Sequence, residues 1–255
     1  MKTMLSCEFP GKVNWKKLVQ WLDELDMYVT LSFNCTSRKN FEWWKREINK
    51  KTNRISFVAW PVLPKSKGYW YSSFLPSEDL DTLDEFKDIK FKIDLEPPFP
   101  GNKFSLLKGI FWGLKYLLKK APNKEYLQHK IKKISKTGNV TISSFPLPKF
   151  ILKHFGWAEA NEYNYMMYSG FLPKYLRQIY RFFFQFFVKL NKHAYFTIGP
   201  IGPGAFGDEP CYENTKEMEK DIIFLKKHRV TKINFFELSA ITKRGKKWLE
   251  IIKIT

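Results

Sequence analysis

Lys90-Phe91-Lys92-Ile93-Asp94-Leu95-Glu96 alternates charged and apolar side chains without a break and then meets Pro97, Pro98 and Pro100. A period of two is the mark of a strand with unlike faces, and prolines cannot continue its ladder. Phe91, Ile93 and Leu95 form one face, and Lys92, Asp94 and Glu96 form the other. The apolar face asks for a covering layer. The charged face stacks two carboxylates toward the C-terminal end of the strand.

The flanking sequence repeats one order, an apolar strand-like stretch followed by a helical pattern, which argues for βα units and a parallel sheet. Residues 4–9 precede a helix over 14–25, where Trp15, Leu18, Val19 and Leu22 keep helical spacing and Asn14 is placed to cap. Strands over 28–34 and 55–62 are followed by helices over 38–50 and from Ser77 onward, with Ser77, Glu78 and Asp79 read as a cap and an acidic first turn. A long helical excursion, 104–120 and 124–135, follows the fourth strand and is divided at Ala121-Pro122-Asn123. Strands over 139–145, 163–169, 194–199 and 232–238 complete the series, the last closed by a helix over 242–253. Eight units without remainder match a closed (β/α)8 or TIM barrel, read as one domain over residues 1–255. An open doubly wound sheet is the alternative. Against it, the first turn, Glu8-Phe9-Pro10-Gly11, lacks the glycine spacing that admits a dinucleotide.

In a barrel, polarity tells the inward face from the outward one. Thr30, Ser32 and Asn34 then point inward from the second strand, Trp60 from the end of the third, and Tyr195 and Thr197 from the seventh. Glu8 and Glu237 end the first and eighth strands, which become neighbours on closure, although Glu237 shares a face with Ile233 and Phe235. Stacked carboxylates repel one another, a cost that a proton-holding role would explain, so Asp94 and Glu96 are the candidate catalytic pair. Asn34, Trp60, Tyr195, Glu8 and Glu237 are the candidate substrate contacts, each with a plainer reading as rim, core or salt-bridge residue.

Several classes fall away. His129, His154, His193 and His228 lie in helices or at their ends, where a metal-dependent hydrolase or a histidine phosphodiesterase would need them on strand ends. Cys7, Cys35 and Cys211 are scattered and odd in number, which suits reduced structural thiols rather than a disulfide framework or a zinc site. No metal and no cofactor is therefore expected. The loop over 199–210 lies where many barrels bind phosphate, but its prolines remove amides and Asp208 and Glu209 oppose an anion, so it reads as a cover for the mouth. The N-terminus carries no apolar run of secretory length, and the expected compartment is cytoplasmic. Lys and Arg number 44 against 25 Asp and Glu, a net charge of +19 that attracts polyanions of several kinds.

The fourth strand resembles the DxxDxDxE signature of the family 18 glycoside hydrolases, the chitinase-type barrels. The aligned positions are Ile89, Lys92, Asp94 and Glu96, followed by Pro97. Met166-Met167-Tyr168-Ser169 is similar to that family's Met-x-Tyr-Asp at the end of the sixth strand, and Thr30 to Asn34 is similar to its Ser-x-Gly-Gly strand. The resemblance implies a retaining, substrate-assisted hydrolase of a carbohydrate. Glu96 would be the general acid, Asp94 would orient the substrate's acetamido group, and Tyr168 would support it. A second reading starts from the helices over 104–120 and 175–190, which mix Phe, Trp, Tyr and Leu with Lys and Arg. Basic amphipathic helices of this kind can lie on an anionic membrane, making the chain a noncatalytic peripheral protein. Nucleic acid ranks below both, because no recognised motif accompanies the charge.

Overall fold

Eight parallel strands follow one another in chain order around a closed barrel in the computed structural model, which describes residues 2–99, 101 and 103–253. Pro100 lies outside the described residues. The elements are β1 (Lys2–Cys7), α1 (Trp15–Glu24), β2 (Val29–Cys35), α2 (Arg38–Asn49), β3 (Ile55–Pro61), α3 (Ser77–Asp81), β4 (Lys90–Asp94), α4 (Leu106–Leu117) and α5 (Lys124–Thr137). They continue with β5 (Asn139–Ser144), α6 (Lys149–His154), β6 (Glu162–Met167), α7 (Lys174–Leu190), β7 (Tyr195–Ile198), α8 (Thr215–Lys227), β8 (Lys232–Phe236), α9 (Leu238–Arg244) and α10 (Lys247–Lys253). The expected barrel with its excursion after the fourth strand is the observed fold.

Local chemistry explains most boundaries. Asn14 caps α1 by accepting from Lys17 N at 3.1 Å, and Ser105 caps α4 by accepting from Lys108 N at 3.3 Å. Two expectations need correction. Ser77 does not cap α3 but begins it, because Pro76 supplies the preceding extended residue, and the helix tightens after five residues into a 3-10 turn, Thr82–Phe86. The single helix expected over 242–253 is instead two, α9 and α10, since Gly245 takes a left-handed φ of 113° after α9.

The chain divides into two compact units, Met1–Phe33, Trp44–Phe57 and Met166–Thr255 in the first, and Asn34–Trp43 and Val58–Tyr165 in the second. In the first, β8 lies between β7 and β1, with Asn234 opposite Thr197 on one side and Met4 on the other. Asn234 Nδ2 donates to Thr197 Oγ1 at 2.8 Å and to Ser6 Oγ at 2.9 Å, so the inner face of three strands is tied by one buried amide. Leu5, Phe196, Ile233 and Phe235 turn the other way and are fully buried, with α8 against β7 and α9 against β1. In the second unit β5 pairs with β4 and β6. Its outer layer buries Leu80, Leu83, Phe86 and Phe91 together with Leu127 and Ile131 of α5.

An unsatisfied buried hydroxyl costs about 1–3 kcal/mol. Asn234→Ala removes a hydrogen-bond partner from both Thr197 and Ser6, and we expect it to lower unfolding free energy by roughly 2–4 kcal/mol in urea titrations. A loss below about 0.5 kcal/mol would show that the amide does not hold these strands.

Candidate functional site

The alternation in β4 is realised as a buried stack in the second unit. Ala59 pairs with Phe91, which puts Trp60 and Lys92 on a common face. Lys92 Nζ lies 3.5 Å from the centroid of the Trp60 ring and 3.3 Å from Asp94 Oδ1. Both side chains of the ion pair are only 4% exposed. Next along the sheet, Thr141 stands opposite Lys92 and Ser143 opposite Asp94. Asn164 Nδ2 donates to Ser143 Oγ at 2.9 Å, while the Thr141 hydroxyl has no hydrogen-bond partner among the described residues. One face of the Trp60 indole carries the Lys92 ammonium, an arrangement that cation–π attraction favours.

Glu96 lies just past the regular strand. Leu95 N donates to Ser143 O at 2.9 Å, Tyr71 N to Asp94 O at 3.2 Å and Glu96 N to Tyr71 O at 3.2 Å, so flanking backbone clamps the end of β4 on both sides. Pro97 and Pro98 then turn the chain away. Glu96 is 9% exposed, the last carboxylate before that turn. Asn34, at the end of β2, donates through Nδ2 to Tyr69 OH at 2.8 Å. Trp60, Lys92, Asp94, Glu96 and Asn34 all belong to the second unit.

Glu8, Glu237, Tyr168 and Tyr195 belong to the first unit. Glu237 is fully buried. Its Oε1 accepts from Glu8 N at 2.8 Å and its Oε2 from Ser239 N at 2.7 Å, Ala240 N at 3.3 Å and the Ser239 hydroxyl. It is the cap of α9, with both carboxylate oxygens engaged. Burial raises its pKa, opposed in part by these hydrogen bonds. Tyr195 opens β7 and sits at the strand's N-terminal end, with Lys2 and Lys232 5.5 and 5.3 Å from its ring. Tyr168 follows β6 half-buried, its ring 5.6 Å from Phe236 and 5.1 Å from Phe171. The glycine loop after β7 crosses Glu8: a Cβ on Gly204 would meet Glu8 Oε2 at 2.6 Å and the Phe236 ring at 2.7 Å. Glu209 accepts from Phe206 N and Gly207 N at 2.9 Å each, so those amides hold the loop's own shape.

No protein family model matches the chain, and no curated protein matches it. Among solved structures it is similar to a xylose isomerase domain protein from Planctomyces limnophilus, with 9% identity, a TM-score of 0.50, and 98% of this chain and 93% of the other covered. The likeness is one of fold. A putative fructose-1,6-biphosphate aldolase from Coccidioides immitis also aligns, with 9% identity, a TM-score of 0.42 and 92% and 72% of the two chains covered.

A polar cluster in the first unit escaped the reading of the sequence. Asp221, fully buried on α8, receives hydrogen bonds from the Ser169 and Tyr212 hydroxyls and an ion pair from Arg181 Nη1 at 2.7 Å. Arg177 Nη1 meets Glu217 Oε2 at 2.8 Å beside it. Burial and the adjacent Asp221 push the Tyr212 phenol well above its ordinary pKa, so it stays a donor. The available signal was Asp221 itself, an acid among Met218, Ile222 and Leu225 on the buried face of a helix. Among the described residues no group of three or more His, Cys, Asp or Glu side chains could hold a metal ion.

Two outcomes follow from these geometries. Removing one partner of a buried ion pair leaves the other charge uncompensated, so Lys92→Met is expected to cost about 3–5 kcal/mol in urea unfolding, most of it regained in Lys92→Met/Asp94→Leu. Losses that simply add would refute the pairing. For Glu237, a folded pKa above the unfolded value contributes stability below the ordinary range, near 4.3, and loses it as pH rises through the folded value. The stability of the native chain relative to Glu237→Gln should therefore be greatest at acid pH and decline above about pH 4.3. A difference that grows with pH would contradict the buried, raised carboxyl.

Proposed function

We propose that the chain, taken as one barrel domain, is a carbohydrate-active protein that hydrolyses an N-acetylated glycoside at the C-terminal end of β4. The observation that supports this most is the enclosed Trp60–Lys92–Asp94 stack with Glu96 beyond it. A buried ion pair is a poor source of stability, and apolar residues of similar size would pack as well or better. What the stack does supply is a buried carboxylate beside the Lys92 ammonium, its Oδ1 without a hydrogen-bond partner among the described residues, in a strand whose next residue of the same parity is a second carboxylate. Sugar chemistry is also what its name attributes to the Planctomyces limnophilus protein, which shares only the fold with this chain.

In this reading the Glu96 carboxyl donates its proton to the glycosidic oxygen as the bond to the anomeric carbon breaks. The acetamido carbonyl oxygen of the substrate forms the new bond to that carbon, and Asp94 accepts a hydrogen bond from the acetamido N–H. Water then attacks the anomeric carbon as the bond from that carbon to the acetamido oxygen breaks, giving a proton back to Glu96 and releasing the sugar with its acetamido group restored and its configuration retained. A second reading, attachment to an anionic surface, draws on a separate observation, the exposed apolar faces of α4 and α7.

The decisive assay is hydrolysis of a panel of chromogenic glycosides that includes N-acetylated sugars. Glu96→Gln is expected to lower kcat by about 10²–10⁴ with KM little changed, and Asp94→Asn to act most on the acetamido substrates. Turnover that survives Glu96→Gln intact would remove Glu96 as the acid. A native protein that neither cleaves nor binds any member of the panel would end the carbohydrate reading.

A further inference from the structure

The stretch between Glu96 and Glu125 contains six lysines and no acidic residue. Its middle is α4, an apolar helix in which no residue is buried and which carries Lys108 and Lys115. One side of α4 is anchored. Trp112 Nε1 donates to Pro98 O at 2.7 Å, the Tyr116 ring lies 4.7 Å from Phe74, and His154 Nε2 is 2.9 Å from Tyr116 O. Residues two positions from Trp112 and Tyr116 fall half a turn away, on the opposite side of the helix. Leu107, Ile110, Phe111, Leu114 and Leu118 form that side, with Leu107 68%, Phe111 69% and Leu118 90% exposed. Lys115 and Lys119 fold back over the rings of Trp112 and Tyr116, 5.1 and 4.8 Å from their centroids, so their ammonium groups lie toward the anchored side.

We propose that α4 is a docking helix for an anionic lipid bilayer. The helix would lie in the plane of the interface, its leucine and phenylalanine side immersed at the level of the acyl chains. Its lysines, set back on the flanks, would then meet the headgroup phosphates, which is how a basic amphipathic helix binds such a surface. A second copy of the chain is a poor occupant, because it would bring six lysines against six with no acid between them. A polynucleotide would use the charge but leave the apolar side in water. α7 also exposes Phe182, Phe183 and Phe186 beside a shallow groove of about 470 Å³. Three of its four cations are matched by acids, Lys174 with Glu213, Arg177 with Glu217 and Arg181 with Asp221, so it carries less unopposed charge than the lysine-rich stretch around α4. The docking is independent of the chemistry proposed for Glu96.

Co-flotation of the full chain with vesicles tests this, comparing pure phosphatidylcholine with phosphatidylcholine containing one third phosphatidylglycerol. Binding to the anionic vesicles should be at least about tenfold tighter and should fall steeply with added salt. Leu107→Glu/Phe111→Glu/Leu114→Glu should reduce it about tenfold or more with thermal midpoint and circular dichroism unchanged, because none of these side chains is buried. Lys108→Gln/Lys115→Gln/Lys119→Gln should weaken binding and flatten its salt dependence, whereas Phe182→Glu/Phe183→Glu on α7 should leave it intact. Equal binding to both vesicle types, or binding that survives the α4 substitutions, would overturn the proposal. So would loss of binding in the α7 variant, or a dimer in sedimentation velocity that the α4 substitutions dissociate while the native chain ignores vesicles.

Discussion

The ammonium of Lys92, buried against the indole of Trp60 and the carboxylate of Asp94, is a constraint on which the inner face of the second unit depends. A lone charge in that position would be expelled or neutralised, so each of the three side chains makes the other two tolerable. Once Lys92 and Asp94 face inward, the pleat fixes Phe91 and Ile93 against the helices. The same parity carries Glu96 to the end of the strand, where the Tyr71 and Ser143 segments grip the backbone just before the two prolines. The position of Glu96 is thus set by a pairing that lies below it.

The first unit handles buried polarity differently. Its strands share a neutral amide, Asn234, between two hydroxyls, and its charges are placed where helices need them. Glu237 spends both oxygens on backbone and hydroxyl donors at the start of α9. Asp221 and Glu217 on α8 take the two guanidinium groups of α7, fastening a helix whose buried contacts are only Phe184, Val188 and the arginine itself. Polar clamps of this sort fix geometry without needing an apolar inner face. That leaves α7 free to expose phenylalanines outward.

What the sequence disclosed and what it withheld have a common cause, periodicity. Period two in residues 90–96 and the regular return of strand and helix are local properties, and they carried the barrel, the inward side of β4 and the Asn14 cap. Parity alone could not say how far along a strand a residue lies. Tyr195 opens its strand, β7 being the four residues Tyr195–Ile198. The parity of Glu237 already pointed away from the interior, and its commitment to Ser239 and Ala240 depends on a turn that no pattern encodes. The Trp60–Lys92 contact and the Asp221 cluster join residues distant in the chain, and a single sequence holds no trace of such pairs beyond an acid on an apolar helix face.

The thiols have a practical consequence. Cys7 and Cys35 are buried to within 1% of their surface and unpaired by disulfide. Burial pushes Cys35 up to about 12 and holds Cys7 well above its ordinary value, with the Glu237 charge adding to the effect. Neither sulfur can therefore react until its surroundings open and water reaches it. Cys7 sits in the first unit and Cys35 in the second. The native chain carries an intrinsic chemical clock in each half, and the two rates of alkylation would time their breathing separately.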